Sequence, residues 1–254
     1  MSRAAGILLS ISSLPGEYGI GCFSKSAYDF VDWLKEAGQT YWQILPLGPT
    51  SYGDSPYQSF STFAGNPYYI SLEALINEGV LTKEECDAAD LGNKPNDISY
   101  HKLYDHRYPL LRLAYERSQI SENPDYIKFV NENDWWLSDY ALFMAVKDHF
   151  EGKPWTDWAE DIRLRYPNAM DYYRRELYFD IEFQKYLQFK FFEQWYELKA
   201  YANSKGIQII GDIPIYVAMD SADTWANPEL FQLDEKNVPI AVAGCPPDGF
   251  SATG

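Results

Sequence analysis

Two short apolar runs flanking one amphipathic helix constrain this chain more than any other feature. Residues 7–11 (Ile-Leu-Leu-Ser-Ile) lie between Gly6 and Ser13-Leu14-Pro15-Gly16, the signature of a buried strand bounded by turn residues. Ser26-Ala27-Tyr28-Asp29 has the spacing of a capping box, with Asp in place of Glu. The helix it would open carries Phe23, Ala27, Phe30, Val31 and Leu34 on one stripe and stops at Gly38. Residues 41–46 (Tyr-Trp-Gln-Ile-Leu-Pro) then read as a second strand ended by proline. Strand, helix and strand in sequence make a βαβ unit, whose two strands are expected to run parallel.

A third strand is expected over residues 207–211 (Ile-Gln-Ile-Ile-Gly). The stretch before it reads as helical. Leu72, Leu75 and Ile76 open a helix stopped by Gly79, and Thr82-x-x-Glu85 is a second capping box. Residues 101–117 and 135–150 carry helical periodicity. In the longest helix Phe179, Phe183, Leu187, Phe191, Trp195 and Leu198 recur every three or four residues before Lys205-Gly206. The expectation is an α/β chain in three parts. Residues 1–69 hold strands 1 and 2 with a long loop, and 70–205 form a helical insertion whose last helix packs back on the sheet. Residues 206–254 hold strand 3 and a loop, with a possible hairpin over 231–243. No covering helix is expected after strand 3, so the ending reads as a truncation.

Charge and motif content exclude several functions. There are 37 acidic against 21 basic residues, a formal net charge of −16, which repels phosphate backbones and anionic membranes. No run approaches the roughly 18 uncharged apolar residues of a membrane helix. The N-terminus has a lone Arg3 and no small-residue cleavage site, so it does not read as a signal peptide. A soluble, cytoplasmic protein is expected. Cys22, Cys86 and Cys245 are too few and scattered for a disulfide framework or a zinc site. His101, His106 and His149 lack metal-ligand spacing and are expected at the surface or at helix ends. No phosphate loop, Gly-x-Ser-x-Gly elbow or Cys–His arrangement occurs, and no cofactor is implied. Trp135-Trp136 and Tyr172-Tyr173 are adjacent pairs that cannot share a helix face, so one member of each is expected at a groove or an interface.

Aromatic content points the other way, toward a ligand. Trp, Tyr and Phe make up 17% of the chain. Such rings either fill a core or offer flat faces and polar tips to sugar rings. Residues 47–67 have no periodicity and are punctuated by Gly48, Pro49, Gly53, Pro56, Gly65 and Pro67. A loop of that length following a parallel strand is usually functional. Its centre, Ser51-Tyr52-Gly53-Asp54-Ser55-Pro56-Tyr57-Gln58-Ser59-Phe60-Ser61, places rings beside hydrogen-bonding groups. Asp212 stands at the end of the third strand. A carboxylate there can take paired hydrogen bonds from sugar hydroxyls, or equally cap a helix or enter a loop salt bridge.

The motifs together resemble one family. They are Gly6-Ile7-Leu8-Leu9 with Ser12-Ser13-Leu14-Pro15, Tyr18-Gly19-Ile20-Gly21, the run 41–50, the run 52–61 and Gly65-Asn66-Pro67. Gly211-Asp212-Ile213-Pro214-Ile215-Tyr216-Val217, Asp220-Ser221-Ala222-Asp223, Pro246-Pro247-Asp248 and Phe250-Ser251 complete the series. In order and spacing they resemble the first half of the 4-α-glucanotransferases, the amylomaltases or disproportionating enzymes. The resemblance implies the first three strands of a (β/α)8 TIM barrel, with the helical insertion between strands 2 and 3. It implies transfer of an α-1,4-glucan segment to another glucan or to glucose with retention, chemistry that uses two carboxylates about 5–5.5 Å apart.

Both of those carboxylates would lie beyond residue 254, so no catalytic residue is expected here and the chain alone is expected to be inactive. Carried over position by position, Tyr57 resembles the tyrosine that stacks beside the scissile bond, flanked by Ser55 and Asp54. Asp212 resembles the aspartate supporting the same subsite. Asp248 and Phe250 belong to a loop covering the acceptor side, and Tyr52 with Tyr100 resembles a secondary glucan-binding pair. The expected partners are α-1,4-glucans. A non-catalytic maltodextrin-binding half-barrel is the alternative, although three strands would leave an open edge and bare apolar faces.

Overall fold

Three parallel strands, β1 (Gly6–Leu8), β2 (Tyr41–Gln43) and β3 (Gln208–Ile210), form one sheet in the order β1-β2-β3. The computed structural model describes residues 3–92, 94, 97–242, 244, 246–249 and 251–252, with Tyr52 described by its backbone alone. Rows of the sheet align Ile7 with Trp42 and Ile209, and Leu8 with Gln43 and Ile210. Because side chains alternate along a strand, these two rows face opposite ways. The Ile7 row packs into the core, where Trp42 is fully buried and its indole N–H donates to Leu9 O at 2.8 Å. The Leu8 row is bare, with Leu8 57% and Ile210 43% exposed. Parallel sheets are ordinarily covered on both faces; this one is covered on one.

Helix α1 (Lys25–Glu36) crosses between β1 and β2 and buries Ala27, Val31 and Leu34. Its start corrects the sequence reading. Ser24 is the N-cap and its side chain makes no capping bond, while Ser26 lies inside the helix and donates to Pro15 O at 2.6 Å. The first strand is also shorter than residues 7–11, because the chain turns into a 3₁₀ segment at Ile11–Ser13. The second capping box is present: Thr82 and Glu85 bond each other's backbone N–H groups at 3.2 and 2.9 Å.

The helical stretch runs through α2 (Leu72–Asn77), α3 (Lys83–Ala88), α4 (Tyr100–Lys102), a π-helical turn (Leu103–Arg107) and α5 (Tyr108–Arg117). It continues through α6 (Pro124–His149), α7 (Glu160–Arg163), α8 (Pro167–Glu176) and α9 (Tyr178–Ser204). Helix α9 is buried on most sides through its middle, where Gln184, Gln188, Lys190 and Gln194 are enclosed together with its aromatic residues. Leu198 and Ala202 pack beside the sheet, and Tyr201 and Lys205 grip Asp32 of α1 at 2.8 and 2.6 Å. Phe179, expected in its stripe, is instead 75% exposed. One continuous core runs from the covered sheet face into α2, α5 and α9. A second gathers α6, Trp155, Trp158 and α8.

After β3, the short helix α10 (Ala222–Ala226) seats Trp225 in this second core, so it covers α6 and not the sheet. The hairpin expected over 231–243 is reduced to one antiparallel bridge, Leu233 to Pro239, and Ala243 lies outside the described residues. Of the adjacent aromatic pairs, Trp136 and Tyr173 are buried while Trp135 (68%) and Tyr172 (52%) are exposed. Cys22 and Cys86 are buried free thiols, and Cys245 lies outside the described residues.

Candidate functional site

The loop over 47–67 leaves β2, and its C-terminal half is tied to distant helices. Gln188 of α9 grips Gly65 with both ends of its amide: Gly65 N–H donates to Oε1 at 2.7 Å and Nε2 donates to Gly65 O at 3.0 Å. Gly65 admits no side chain there, since a Cβ would lie 2.1 Å from the Phe191 ring. Gln194, two turns further on, accepts from Ser71 N–H at 2.7 Å. Asp223 of α10 accepts from both the N–H and hydroxyl of Thr62 at 2.9 and 3.0 Å. These ties hold the centre of the loop over the ends of β2 and β3. Asp223 belongs to the Asp220–Asp223 motif, whereas Gln188 and Gln194 were not singled out. The signal available in the sequence was a set of glutamines spaced among the aromatic positions of the longest helix.

A second set of ties comes from α6. Lys147 donates to Asp220 at 2.6 Å, both side chains nearly buried, and Asp220 also accepts from Trp155 N–H at 3.1 Å. The Lys147 ammonium stands 4.9 Å from the Phe60 ring. The segment before α10 is therefore locked to the helical layer by a charge that has little water around it.

Between these anchors Tyr57 meets Asp212. The phenol donates to Asp212 Oδ2 at 2.6 Å across a separation of 155 residues. This bond to a carboxylate is the main cause that pushes the Tyr57 hydroxyl above its usual range. Asp212 Oδ1 accepts from Ile213 N–H at 2.9 Å, so the carboxylate is fixed by one backbone and one side-chain donor. Tyr57 is 45% exposed, leaving ring surface free for a ligand. Ser55 Oγ accepts from Tyr57 N–H at 3.2 Å and sets the turn that presents the ring. Below the pair lies a cavity of about 310 Å³, bordered by Pro46, Pro56, Phe191, Trp195, Lys199 and Asp212. That is the lower end of the range for small-molecule sites.

The remaining expected residues fall elsewhere. Asp54, in the left-handed region at φ 55°, lies near Tyr68 and Tyr100. Burial first, then its negative charge, pushes both phenols up. Tyr100 is half-buried with its ring 6.0 Å from that of Tyr68. Asp248 closes its own turn, accepting from Ser251 N–H at 2.9 Å. The Tyr52 side chain and Phe250 lie outside the described residues. Among the histidines, His101 pairs with Asp105 at 3.1 Å, and His149 packs edge-on against Phe150 and Tyr173. Among the described residues no group of three or more His, Cys, Asp or Glu could hold a metal, and no helix is long and apolar enough to cross a membrane.

The family model described as 4-alpha-glucanotransferase matches residues 9–254. The chain belongs to the 4-alpha-glucanotransferase family. A 4-alpha-glucanotransferase of Clostridium butyricum is 49% identical over 97% of this chain and 51% of its own length. One from Thermus thermophilus is 47% identical over 100% of the chain and 51% of its length. Among solved structures, amylomaltase from Streptococcus agalactiae in complex with acarbose superposes with a TM-score of 0.94 at 45% identity, over 98% of this chain and 51% of that one. The chain thus spans about half the length of the curated 4-alpha-glucanotransferases it matches.

Proposed function

We propose that this chain forms the glucan-binding part of a 4-α-glucanotransferase, which moves a segment of an α-1,4-glucan to another glucan or to glucose with retention of configuration. The observation that carries the reading is the Tyr57–Asp212 bond at the ends of β2 and β3. A tyrosine ring fixed by a carboxylate offers a stacking face, and the carboxylate keeps lone pairs free to accept from sugar hydroxyls. Ser55 and Asp54 flank that ring, Asp248 and Phe250 serve the acceptor side, and Tyr52 with Tyr100 forms a secondary contact. In this reading the sheet is the first part of a (β/α)8 barrel, and its bare face with Leu8 and Ile210 is the barrel interior. Residues 1–69 and 206–254 belong to the barrel, and 70–205 form the inserted helical part. The nucleophile and the acid/base, about 5–5.5 Å apart in retaining chemistry, fall on strands beyond residue 254. The protein works on α-1,4-glucans in the cytoplasm.

Maltotriose supplied to the full-length protein that carries this chain tests the reading. The expected products are glucose together with maltotetraose and longer chains. Glucose and maltose with no longer products would show a hydrolase and refute the transfer.

A further inference from the structure

A second cleft, of about 710 Å³, opens between α5, α6 and α9, away from the Tyr57–Asp212 pair. The π-helical turn brings Tyr104 to its rim, 58% exposed, with the ring of Tyr108 5.7 Å away and tilted. Single π turns inside α-helices recur at functional sites. Further along the same helical run Arg112 reaches across to α9, where it lies 4.1 Å over the Phe183 ring and is held by Asp180 at 2.7 Å. Asp148 adds a carboxylate to the lining.

One atom in this cleft points to a ligand. Gln184 lines it and is only 2% exposed, yet its side-chain carbonyl has no hydrogen-bond partner among the described residues. Buried acceptors are satisfied as a rule, so an unpaired oxygen on a residue that lines a cavity asks for a donor, which a rotation of the side chain toward the cavity would meet. The charges say what kind of donor. Asp105, Glu116 and Asp148 outnumber Arg112 around the cleft, and the chain carries a net −16, which disfavours phosphorylated and other anionic ligands. An exposed ring at the rim, a buried acceptor at the wall and a fixed guanidinium between them suit a neutral ring that carries many hydroxyls.

We propose that this cleft is a separate carbohydrate subsite, in which Tyr104 stacks on a glucosyl unit of an α-1,4-glucan and Gln184 accepts from one of its hydroxyls. The choice of an α-1,4-glucan as occupant rests on the function proposed above. Met144 lines the cleft and is almost fully buried, so its methyl group reports occupancy, while Met170 in the second core serves as the unmoved control.

The test is a methyl NMR titration of the full-length protein with maltoheptaose at millimolar concentration. The Met144 resonance is expected to shift saturably, and to do so equally in Tyr57→Ala. Tyr104→Ala, at an exposed position, should weaken that response about tenfold. Gln184→Leu, which removes an acceptor already unpaired and so leaves the fold intact, should weaken it as well. A Met144 resonance that stays still, or one that responds in Tyr104→Ala and in Gln184→Leu just as it does in the wild type, overturns the subsite. Stillness beside normal transfer from maltotriose overturns this cleft alone. A Tyr104-dependent shift beside absent transfer supports the cleft and overturns the transferase reading alone.

Discussion

Replacing Gln188 with leucine isolates what holds the loop over 47–67 in place. The side chain is fully buried and makes two bonds to one residue, accepting from Gly65 N–H at 2.7 Å and donating to Gly65 O at 3.0 Å. Leucine keeps a similar volume and removes both bonds, leaving two buried backbone groups unpaired. Each such group costs about 1–3 kcal/mol. The added apolar burial returns roughly 1 kcal/mol. The expected net loss is therefore about 3 kcal/mol, far above the ordinary effect of an apolar substitution at a surface. Urea unfolding followed by tryptophan fluorescence measures it as a shift of the midpoint at constant slope. Glucan binding should fall together with stability, because the loop that carries Tyr57 is released at its far end. A loss under about 1 kcal/mol would mean that water replaces the amide, as it does at polar buried sites with room for it. In that case α9 does not hold the loop through Gln188.

Three further outcomes follow from single contacts. Tyr57→Phe keeps the ring and deletes the donor to Asp212; maltoheptaose affinity measured by calorimetry should drop about three- to tenfold, and Tyr57→Ala should lower it further. Lys147→Met leaves Asp220 without its counter-charge in a nearly buried setting, so unfolding free energy from a urea titration should fall by about 3–5 kcal/mol. Asp148 is pushed up to about 6, by the surrounding protein first and by Asp180 second, against the opposing pull of Arg112 and Lys147. Its neutral form is the one the fold favours, so the wild type loses stability as pH rises from about 4 through 6. Asp148→Asn does not titrate. It should melt higher than wild type above pH 6 by an amount near 1 kcal/mol, reduced because water reaches the carboxylate, and the gain should vanish below about pH 4. A gain that grows on acidification would reverse the assignment.

Local signals account for much of the architecture. The βαβ unit, its parallel pairing and the third strand were legible because each strand is a β-branched or aromatic run bounded by Gly or Pro. Thr82 and Glu85 were legible as a cap because that motif is closed within four residues. The Ser26–Asp29 pattern failed for a related reason. Its spacing is as good as that of Thr82–Glu85, but Ser26 Oγ finds a tertiary acceptor in Pro15 O, and the helix starts one residue after Ser24 instead. Phe179 misled in the same way: periodicity assigns it to the stripe of α9, but it lies in the first turn, beyond the end of the core. Asp212 was legible as a candidate from its place at a strand end, though not its choice between binding, capping and pairing. The contact with Tyr57 spans 155 residues, and no local pattern encodes it.

That long span explains how the site is built. Tyr57 stands on a loop with almost no regular structure of its own, where Gly53 and Asp54 both adopt positive φ. Bonds within the loop shape its turns, Ser51 N–H to Gln58 O at 3.0 Å among them, but its placement on the molecule is set by groups outside it. Three separate elements supply them: the amide of Gln188 at Gly65, the carboxylate of Asp223 at Thr62 and the carboxylate of Asp212 at Tyr57 itself. The first bonds backbone groups alone, and the second bonds the backbone N–H and the hydroxyl of Thr62. Only the third touches Tyr57, whose ring a ligand can also touch. Positioning and recognition are thus divided between different residues, so Gln188→Leu and Tyr57→Phe should be separable in one assay. The first should move stability and binding together, and the second should weaken binding while leaving the unfolding midpoint nearly where it was. If Tyr57→Phe shifted the midpoint as far as Gln188→Leu, the Asp212 bond would be a structural tie like the other two, and the stacking face would need to be sought on another ring.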